Sequence, residues 1–260
     1  MEHRILLTFD LEEFDLPLEY GCSISEEYQK VITTIGLQKL TSLLSKNNIH
    51  ATFFTTSQYA STNKEIVKNL SIDHEIASHS KSHSAFKETD LSESKSELEI
   101  ITGKQVYGFR MPRFRDIDKT KIKAAGYDYD SSINPTFIPG RYNNFFEKRK
   151  LFVDAGSNLI EIPVSVSPVI RFPLFWLSFK NIPLHIYLRM CKQTIRKDSY
   201  LNLYFHPWEF AELDSFDIPK YIKNLSGNFL AERFEKLISG LKETGDFSTI
   251  SSFLGITGSP

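Results

Sequence analysis

The chain has 260 residues, of which 41% are hydrophobic and 13% aromatic, so it can bury a sizeable core in one large domain or two small ones. The formal net charge of -1 gives no electrostatic support for a nucleic-acid partner, and we expect none. The two cysteines, Cys22 and Cys191, lie far apart in sequence, which argues against a disulfide framework and a thiolate metal site.

Predicted strands and helices alternate along the chain. In chain order, strands are predicted at 5–9, 50–55, 74–78, 106–110, 127–130, 159–164, 200–205 and 247–250. Predicted helices separate most of them, at 26–47, 65–70, 92–102, 117–125 and 228–242. This alternation predicts parallel strands joined by helices in one α/β sheet or barrel. Because no repeat or linker interrupts it, we predict a single domain over 1–260.

The beginning of the chain has no basic segment followed by an apolar one, so no signal peptide is predicted. No apolar run reaches the roughly 18 residues of a membrane-spanning helix. These two features lead us to expect a cytoplasmic protein.

The chemically suggestive side chains all follow predicted strands. They are Asp10, Glu12, His79, His83, Arg110, Asp130 and His206. Active sites of α/β barrels gather at the carboxyl ends of the strands, so we expect these residues to meet at one edge of the sheet.

His79 and His83 form the strongest single pattern. Two imidazoles and one carboxylate can hold a divalent metal ion and leave a position open for water. We expect the four-residue spacing to lie on a helical turn, which would place both rings on one side. The pattern therefore indicates a hydrolytic metalloenzyme, with two solvated histidines as the alternative.

Six short segments extend this pattern: Thr-Phe-Asp at 8–10, Ala-Thr-Phe-Phe at 51–54, His-Glu-Ile-Ala-Ser-His-Ser-Lys-Ser-His at 74–83, Gly-Phe-Arg-Met-Pro at 108–112, Tyr-Asp-Ser-Ser at 129–132, and Phe-His-Pro-Trp-Glu at 205–209. In these segments and their order the chain resembles the polysaccharide deacetylase family, the NodB-homology metallohydrolases of carbohydrate esterase family four. The resemblance implies a distorted (β/α) barrel of about seven parallel strands. It also implies one divalent ion, most often zinc, and hydrolysis of an N-acetyl or similar amide on an amino sugar.

The resemblance assigns roles to individual residues. Asp10 matches the catalytic base, and Arg110 matches the residue that pairs with that base. His79 and His83 match the metal ligands. His206 matches the general acid that protonates the leaving amine, a role suited to an imidazole because it titrates near neutral pH.

The chain departs from the family at Leu11, where most relatives carry a metal-binding aspartate. Alternate residues of a strand share a face, so Asp10 and Glu12 point together, and we predict Glu12 as the third ligand. Glu13, Asp15 or a site with only two histidines are the alternatives. Zinc is the expected ion, with nickel, cobalt and manganese as other candidates.

Four further residues complete the predicted site. In relatives a backbone N–H just after the proline of the fourth segment stabilises the oxyanion, and we assign this role to Phe114, next to Pro112. Trp208 is expected to line the acyl pocket or to pack in the core. Asp130 is the predicted acid that orients the His206 ring, with a turn-forming role beside two serines as the alternative.

An apolar insertion is predicted at about 168–190. Its prolines and scattered charges exclude a simple membrane span, but aromatic residues beside basic ones suit a membrane interface. One hypothesis is a lid that meets a lipid-linked sugar at the inner face of the membrane. The alternative is a packed insertion or an oligomer contact.

The sequence therefore predicts a metal-dependent hydrolase that removes an N-acetyl or similar acyl group from an amino sugar of a glycan or a lipid-linked precursor. Two alternatives remain: a metal-independent hydrolase of cyclic amides or ureides, and an inactive glycan-binding protein.

Overall fold

A computed structural model of the protein describes residues 3–140 and 142–256, so residues 1–2, 141 and 257–260 of the predicted domain lie outside the described residues. Within these ranges the strands are β1 (Arg4–Leu11), β2 (Thr52–Thr55), β3 (Glu75–Ser78), β4 (Gly108–Phe109), β5 (Tyr129–Asp130), β6 (Phe137–Ile138), β7 (Tyr142–Asn143), β8 (Phe152–Val153), β9 (Ile160–Glu161), β10 (Tyr200–Phe205) and β11 (Asp246–Phe247). The helices are α1 (Leu16–Glu19), α2 (Glu26–Lys46), α3 (Ser57–Thr62), α4 (Lys64–Asp73), α5 (Asp90–Thr102), α6 (Lys119–Ala124), α7 (Trp176–Asn181), α8 (Leu184–Asp198), α9 (Lys220–Lys223), α10 (Gly227–Lys242) and α11 (Ile250–Phe253). Two 3-10 turns, Pro112–Phe114 and Pro207–Phe210, follow β4 and β10.

The main sheet confirms the predicted distorted (β/α) barrel. Its strands lie in the order β10, β1, β2, β3, β4, β5, β9 and β8. The first seven run parallel to one another, and β8 is antiparallel to β9. β11 also runs parallel to β1 and pairs with its first residues, while β2 pairs with its last ones. The carboxyl ends of the seven parallel strands therefore lie at one end of a curled sheet.

The neighbouring strands β1 and β10 are buried on both faces. All six residues of β10 and seven of the eight residues of β1 are buried. This is why both strands have nearly continuous apolar sequences, as expected for parallel strands covered by helices.

Asn202, in the middle of β10, connects the two ends of the curled sheet. Its carbonyl oxygen accepts the Ser165 N–H at 2.8 Å, just beyond β9. Its side-chain amide donates to the Ser131 hydroxyl at 3.2 Å and to the Ile162 carbonyl at 3.3 Å. The chain that leaves β9 thus fills the gap between β5 and β10.

Helix α2 packs directly against the 3-10 turn that follows β10. Ser25 caps the helix by accepting the Tyr28 N–H at 3.2 Å. Gly36 faces this turn so closely that an added Cβ would lie 2.0 Å from the Pro207 carbonyl oxygen. A side chain at position 36 would therefore displace the turn.

The predicted apolar insertion is mostly packed into the protein. Phe179 and Tyr187 belong to the core, while Trp176 lies beside the cavity at the carboxyl end of the sheet. Val169 and Ile170 are the exception, because 86% and 69% of their surfaces are exposed. In the part of the chain that the structure describes, no helix is both long and apolar enough to cross a membrane.

One predicted strand is wrong at its end. The segment 247–250 was expected to be extended throughout, but α11 begins at Ile250. The hydroxyl of Thr249 accepts the Ser252 N–H at 3.2 Å and caps this helix, an interaction that short-range apolar patterning does not reveal.

Candidate metal centre and active site

Glu12, His79 and His83 converge at the carboxyl end of the barrel. The Oε2 atom of Glu12 lies 3.1 Å from Nε2 of His79 and 3.2 Å from Nε2 of His83. One ligand atom from each residue lies within 4.8 Å of the others, and the described residues contain no further group of this kind. The three residues that were predicted as metal ligands are therefore brought together.

The hydrogen bonds of the two rings make this donor set suited to a cation. Nδ1 of His79 lies 2.8 Å from the Arg110 carbonyl oxygen, and Nδ1 of His83 lies 2.9 Å from Oδ1 of Asp15. Both partners are acceptors, so each Nδ1 carries a proton and each neutral ring presents a lone pair at Nε2. Two nitrogen lone pairs and a carboxylate oxygen then face one another, an arrangement that fits a divalent ion such as zinc.

When no ion is bound, a proton on His83 offsets the negative charges of the neighbouring carboxylates. Burial lowers the pKa of His83, but the charge of Glu12 and the hydrogen bond and charge of Asp15 outweigh it and raise the pKa to about 9. Burial raises the pKa of Asp15, but the hydrogen bonds and charges of His83 and Arg113 together outweigh it and lower the pKa. A metal ion would compete with this proton for the ring.

The expected helical turn between the two histidines is wrong. His79 follows β3 and His83 lies in a loop, with Ser80 between them at a φ of 66°. The carbonyl oxygen of Ser80 accepts the Ser57 N–H at 3.1 Å and holds this loop against the start of α3. The two rings are nevertheless stacked, with centroids 5.9 Å apart.

Glu13 and Asp15, the alternative ligands, point elsewhere. Both carboxylate oxygens of Glu13 accept from the Thr56 hydroxyl at 3.2 Å. Burial raises the pKa of Glu13 to about 7. Asp15 bonds the far nitrogen of His83 and an Arg113 guanidinium nitrogen at 3.1 Å. Of the three acids, Glu12 alone therefore faces both Nε2 atoms.

Asp10 and Arg110 form a buried ion pair beside the metal centre. The Arg110 guanidinium donates to Oδ1 of Asp10 at 2.7 Å, and both side chains are almost completely buried. Burial raises the pKa of Asp10, but the charges of Arg110, His79 and His206 outweigh this effect and hold it below its usual value. Asp10 is thereby kept ionised.

The surroundings of Arg110 fix it in place. The nitrogen that bonds Asp10 also donates to the Thr8 hydroxyl at 3.0 Å, and the other two nitrogens donate to the backbone carbonyl and hydroxyl of Ser131 at 3.1 and 3.0 Å. Its guanidinium carbon lies 3.9 Å from the centre of the Phe54 ring. Several strands therefore hold the arginine that orients Asp10.

His206 is oriented by Glu209, not by Asp130 as predicted. Oε1 of Glu209 accepts the His206 backbone N–H at 2.7 Å and lies 3.1 Å from Nδ1 of the same ring. Burial lowers the pKa of His206, but the hydrogen bond to Glu209 and the charges of Glu12, Glu209 and Asp10 outweigh it and raise the pKa. The Nε2 atom of His206 lies 3.9 Å from Glu12 and faces the cavity.

Asp130 lies on the other side of its strand. Ser131, the next residue, faces Arg110, so alternation along the strand directs Asp130 away from the site. There its carboxylate accepts from the Ser132 hydroxyl at 2.5 Å and lies 3.8 Å from the Lys119 amine. Burial raises the pKa of Asp130 and, together with the charge of Asp130, that of its neighbour Glu161.

The Phe114 N–H, the predicted oxyanion donor, already has an acceptor within its own turn. The Phe114 N–H donates to the Met111 carbonyl oxygen at 3.0 Å within the 3-10 turn that Pro112 begins. Arg113 directly follows Pro112 and has a φ of 60°. The turn therefore engages the Phe114 N–H, while both Arg113 and Phe114 line the cavity.

A cavity of about 390 Å³ connects these groups. Polar side chains form its base, and aromatic residues form much of its wall: Phe114, Phe175, Trp176, Tyr204, Trp208 and Tyr221. Trp208 is nearly completely buried and stacks on His206 with centroids 4.7 Å apart. Its indole N–H also points to Oε1 of Glu12 at 3.4 Å, so Trp208 both packs in the core and lines the cavity, while the acyl-pocket role stays a prediction.

Sequence reasoning missed Glu209 as a site residue, although a signal was present. The order His-Pro-x-Glu at 206–209 places proline at the first position of a helical turn and glutamate at the third. Glutamate at that position reaches back to the capping residue, which here is His206. The capping pattern thus identifies Glu209 as the acid that orients His206, whereas the position of acids at strand ends had suggested Asp130.

Comparisons with known proteins show which protein family the chain resembles. Residues 2–129 match the model of the polysaccharide deacetylase family. None of the curated proteins matches the chain in sequence. The family match spans almost half of the chain, and together with the fold it shows that the chain is similar to the polysaccharide deacetylases, the carbohydrate esterases of family four.

Solved structures share the fold at low sequence identity. A protein from Mycobacterium smegmatis assigned as a polysaccharide deacetylase is 16% identical, with a TM-score of 0.65 over 97% of this chain and 89% of that one. A peptidoglycan N-acetylglucosamine deacetylase is 17% identical, with a TM-score of 0.53 over 96% and 86%. A family-four pseudoenzyme from Bacillus anthracis is 14% identical, with a TM-score of 0.53 over 97% and 66%. Since the fold occurs with and without activity, function depends on the site.

Proposed function

We propose that the protein is a metal-dependent deacetylase that removes an N-acetyl or similar acyl group from an amino sugar of a glycan. One observation carries this proposal: the Nε2 atoms of His79 and His83 both lie within 3.2 Å of the same carboxylate oxygen of Glu12. This donor set opens into the same cavity as Asp10 and His206. A divalent ion held there would polarise the amide carbonyl and increase the acidity of water.

The chain's own residues supply the proton transfers. Asp10, held ionised by Arg110, takes a proton from the attacking water. Arg113 directly follows Pro112 and lines the cavity, and we assign to its backbone N–H the donation to the carbonyl oxygen as negative charge develops there. His206 gives a proton from Nε2 to the amine nitrogen as the carbon–nitrogen bond breaks.

Both retained histidines favour this proposal over the alternatives. A metal-independent hydrolase of cyclic amides has no use for two imidazoles whose tautomers are both fixed with Nε2 facing a carboxylate. A glycan-binding protein has no use for a buried base paired to a buried arginine. The aromatic wall of the cavity is suited to the apolar face of a sugar ring.

Acetate release from N-acetylglucosamine oligomers by the zinc-reconstituted protein tests the proposal. We expect turnover by the wild type and a loss of at least about 100-fold in Asp10→Asn, because a general base contributes that much or more. Asp128→Asn, a partly exposed acid on the approach to β5, is the control and should keep full activity. Activity on cyclic amides without metal, or sugar binding without turnover in both forms, would reject the proposal in favour of one of the alternatives.

A lipid-linked substrate and a peripheral membrane contact remain proposals. Val169 and Ile170 form an exposed apolar tip, and Arg196 and Lys197 lie beside them around one surface groove. Apolar tips flanked by basic residues suit an anionic lipid surface. Flotation with phosphatidylglycerol vesicles should capture the wild type and lose Ile170→Asp, while Ile100→Asp, equally exposed elsewhere, should still float. Equal behaviour of the two variants would remove the membrane proposal, and the cytoplasmic location stays a prediction.

A further inference from the structure

Lys180 is a fully buried lysine in the segment that the sequence identified as an apolar insertion. It lies on α7, and its amine donates to the Ile222 carbonyl oxygen at 2.7 Å. The same amine lies 3.4 Å from Oε2 of Glu209, and neither side chain is exposed. Of the two oxygens of Glu209, Oε1 is therefore occupied by His206 and Oε2 faces Lys180.

A buried ion pair of this kind is not by itself a source of stability. Removing two charges from water costs several kcal/mol, and apolar residues of similar volume often stabilise a core equally well. On the same helix as Lys180, Phe179 lies in the core and Trp176 in the cavity wall. A lysine at this position is better explained by what it does to Glu209.

The consequence for Glu209 is both electrostatic and geometric. A buried carboxylate without a counter-charge takes up a proton or moves toward water. Lys180 supplies a counter-charge at Oε2 while His206 contacts Oε1, so Glu209 is held in position between two partners. A fixed acceptor at Nδ1 keeps the proton on that nitrogen and directs Nε2 into the cavity.

We propose that Lys180 and Glu209 are positioning residues that act through His206, so that the insertion forms part of the catalytic machinery. This inference rests on the proposed function, in which His206 protonates the leaving amine. Lys180 itself is buried and does not line the cavity among the described residues, so it acts on the reaction through Glu209.

The test compares two substrates that differ in their need for an acid. An amide cannot release its amine without a proton, whereas 4-nitrophenyl acetate releases a stable phenolate. In the zinc-reconstituted full chain, Lys180→Met should lower kcat for the N-acetyl oligomer by at least about 10-fold, a part of the 10²–10⁴-fold that a general acid supplies. Both KM values and kcat for the ester should stay within about twofold of wild type.

Two further variants separate positioning from packing. Lys180→Gln keeps a donor for the Ile222 carbonyl but loses the charge, so it should behave like Lys180→Met; it also serves if the methionine variant does not fold. Lys95→Met removes another largely buried lysine that bonds one carboxylate and one carbonyl oxygen, and it should change neither substrate. Equal loss of amide and ester activity, or recovery in Lys180→Gln, would overturn the inference.

A measurement on the metal-free protein decides the inference independently of activity. With ¹⁵N-labelled histidine, the Nδ1 proton of His206 should be visible by NMR in wild type and Lys95→Met and lost or strongly shifted in Lys180→Met. An unchanged signal would overturn the inference. If the wild type fails to hydrolyse the amide but the NMR signal responds as expected, the proposed function fails and the positioning contact stands.

Discussion

Oδ1 of Asp15 lies 2.9 Å from Nδ1 of His83, on the side of the ring that faces away from Glu12. Asp15 is therefore not placed as a metal ligand, which was one of the alternatives. It instead sets the tautomer of His83, a predicted ligand. Such partners increase the basicity of the ring and fix its orientation.

Asp15→Asn should weaken zinc binding by about 10- to 100-fold, the usual effect of removing a partner of a metal-bound histidine. Glu19→Gln is the matched control, because Glu19 and Asp15 both pair with Arg113 but only Asp15 contacts His83. Competition with a zinc-binding dye measures both affinities. Similar losses in the two variants would show that the Arg113 network, and not the His83 contact, matters.

Glu12→Gln should weaken zinc binding more than Asp15→Asn does, by over about 100-fold, because it removes a direct ligand rather than an outer partner. Its neighbour Glu13 provides the control, since both oxygens of Glu13 face the Thr56 hydroxyl. Plasma mass spectrometry of the purified variants should find metal in Glu13→Gln and little in Glu12→Gln. The reverse pattern would return the ligand role to Glu13.

The buried pair of Asp10 and Arg110 should be strongly coupled in stability. Arg110→Met leaves a buried carboxylate without its partner, so we expect a loss of about 3–5 kcal/mol in the free energy of unfolding. The double variant with Asp10→Asn should lose at least about 1 kcal/mol less than the sum of the single variants. Urea unfolding gives all three values, and the exposed pair Lys46–Glu235 should show nearly additive losses. Additive losses at Asp10 and Arg110 would contradict the coupling.

His74 lies at the amino end of β3, far from the active-site cavity. It should make the free energy of unfolding depend on pH in the acidic range. Burial lowers the pKa of His74 to about 4, and its Nδ1 accepts the Ala51 N–H at 3.3 Å, which requires the neutral ring. The stabilising effect is complete above pH 6.5. As the pH falls from 6.5 toward 4, the unfolded chain takes up the proton first, so wild type should lose about 3 kcal/mol.

The loss should be absent from His74→Asn, which keeps an acceptor for Ala51. Chemical unfolding at pH 7.5, 6, 5 and 4 measures the difference between the two proteins. His185→Asn removes an exposed histidine and should follow the wild type at each pH. A constant difference between wild type and His74→Asn across this range would contradict the prediction.

Much of the fold could be predicted because strand order follows local patterns. Continuous apolar runs mark β1 and β10, and the polar residues that follow strands, apart from Asp130, meet at one end of the barrel as expected. The choice of Glu12 over Leu11 also needed only the alternation along a strand. The alternation rule assigns side chains to the two faces of one strand without knowledge of the rest of the fold.

The errors arise where the position of a side chain depends on distant backbone. A four-residue spacing is compatible with a helical turn, but contacts with α3 hold the loop between the two histidines in another shape. Asp130 lies at the end of a strand, as an active-site acid would. However, its neighbour Ser131 bonds Arg110, so the alternation along the strand directs Asp130 away from the site. Lys180 could not be found at all, because its partner Glu209 lies on a different element.

The proposed acid and the proposed base differ in how far their partner residues lie from them along the sequence. His206 and its acid are separated by 3 positions, whereas Asp10 and Arg110 are separated by 100. A contact between near neighbours costs little loop entropy, while one across 100 positions waits for the strands between them. A partly folded chain could therefore already hold the geometry of the acid, but only the assembled barrel has a base.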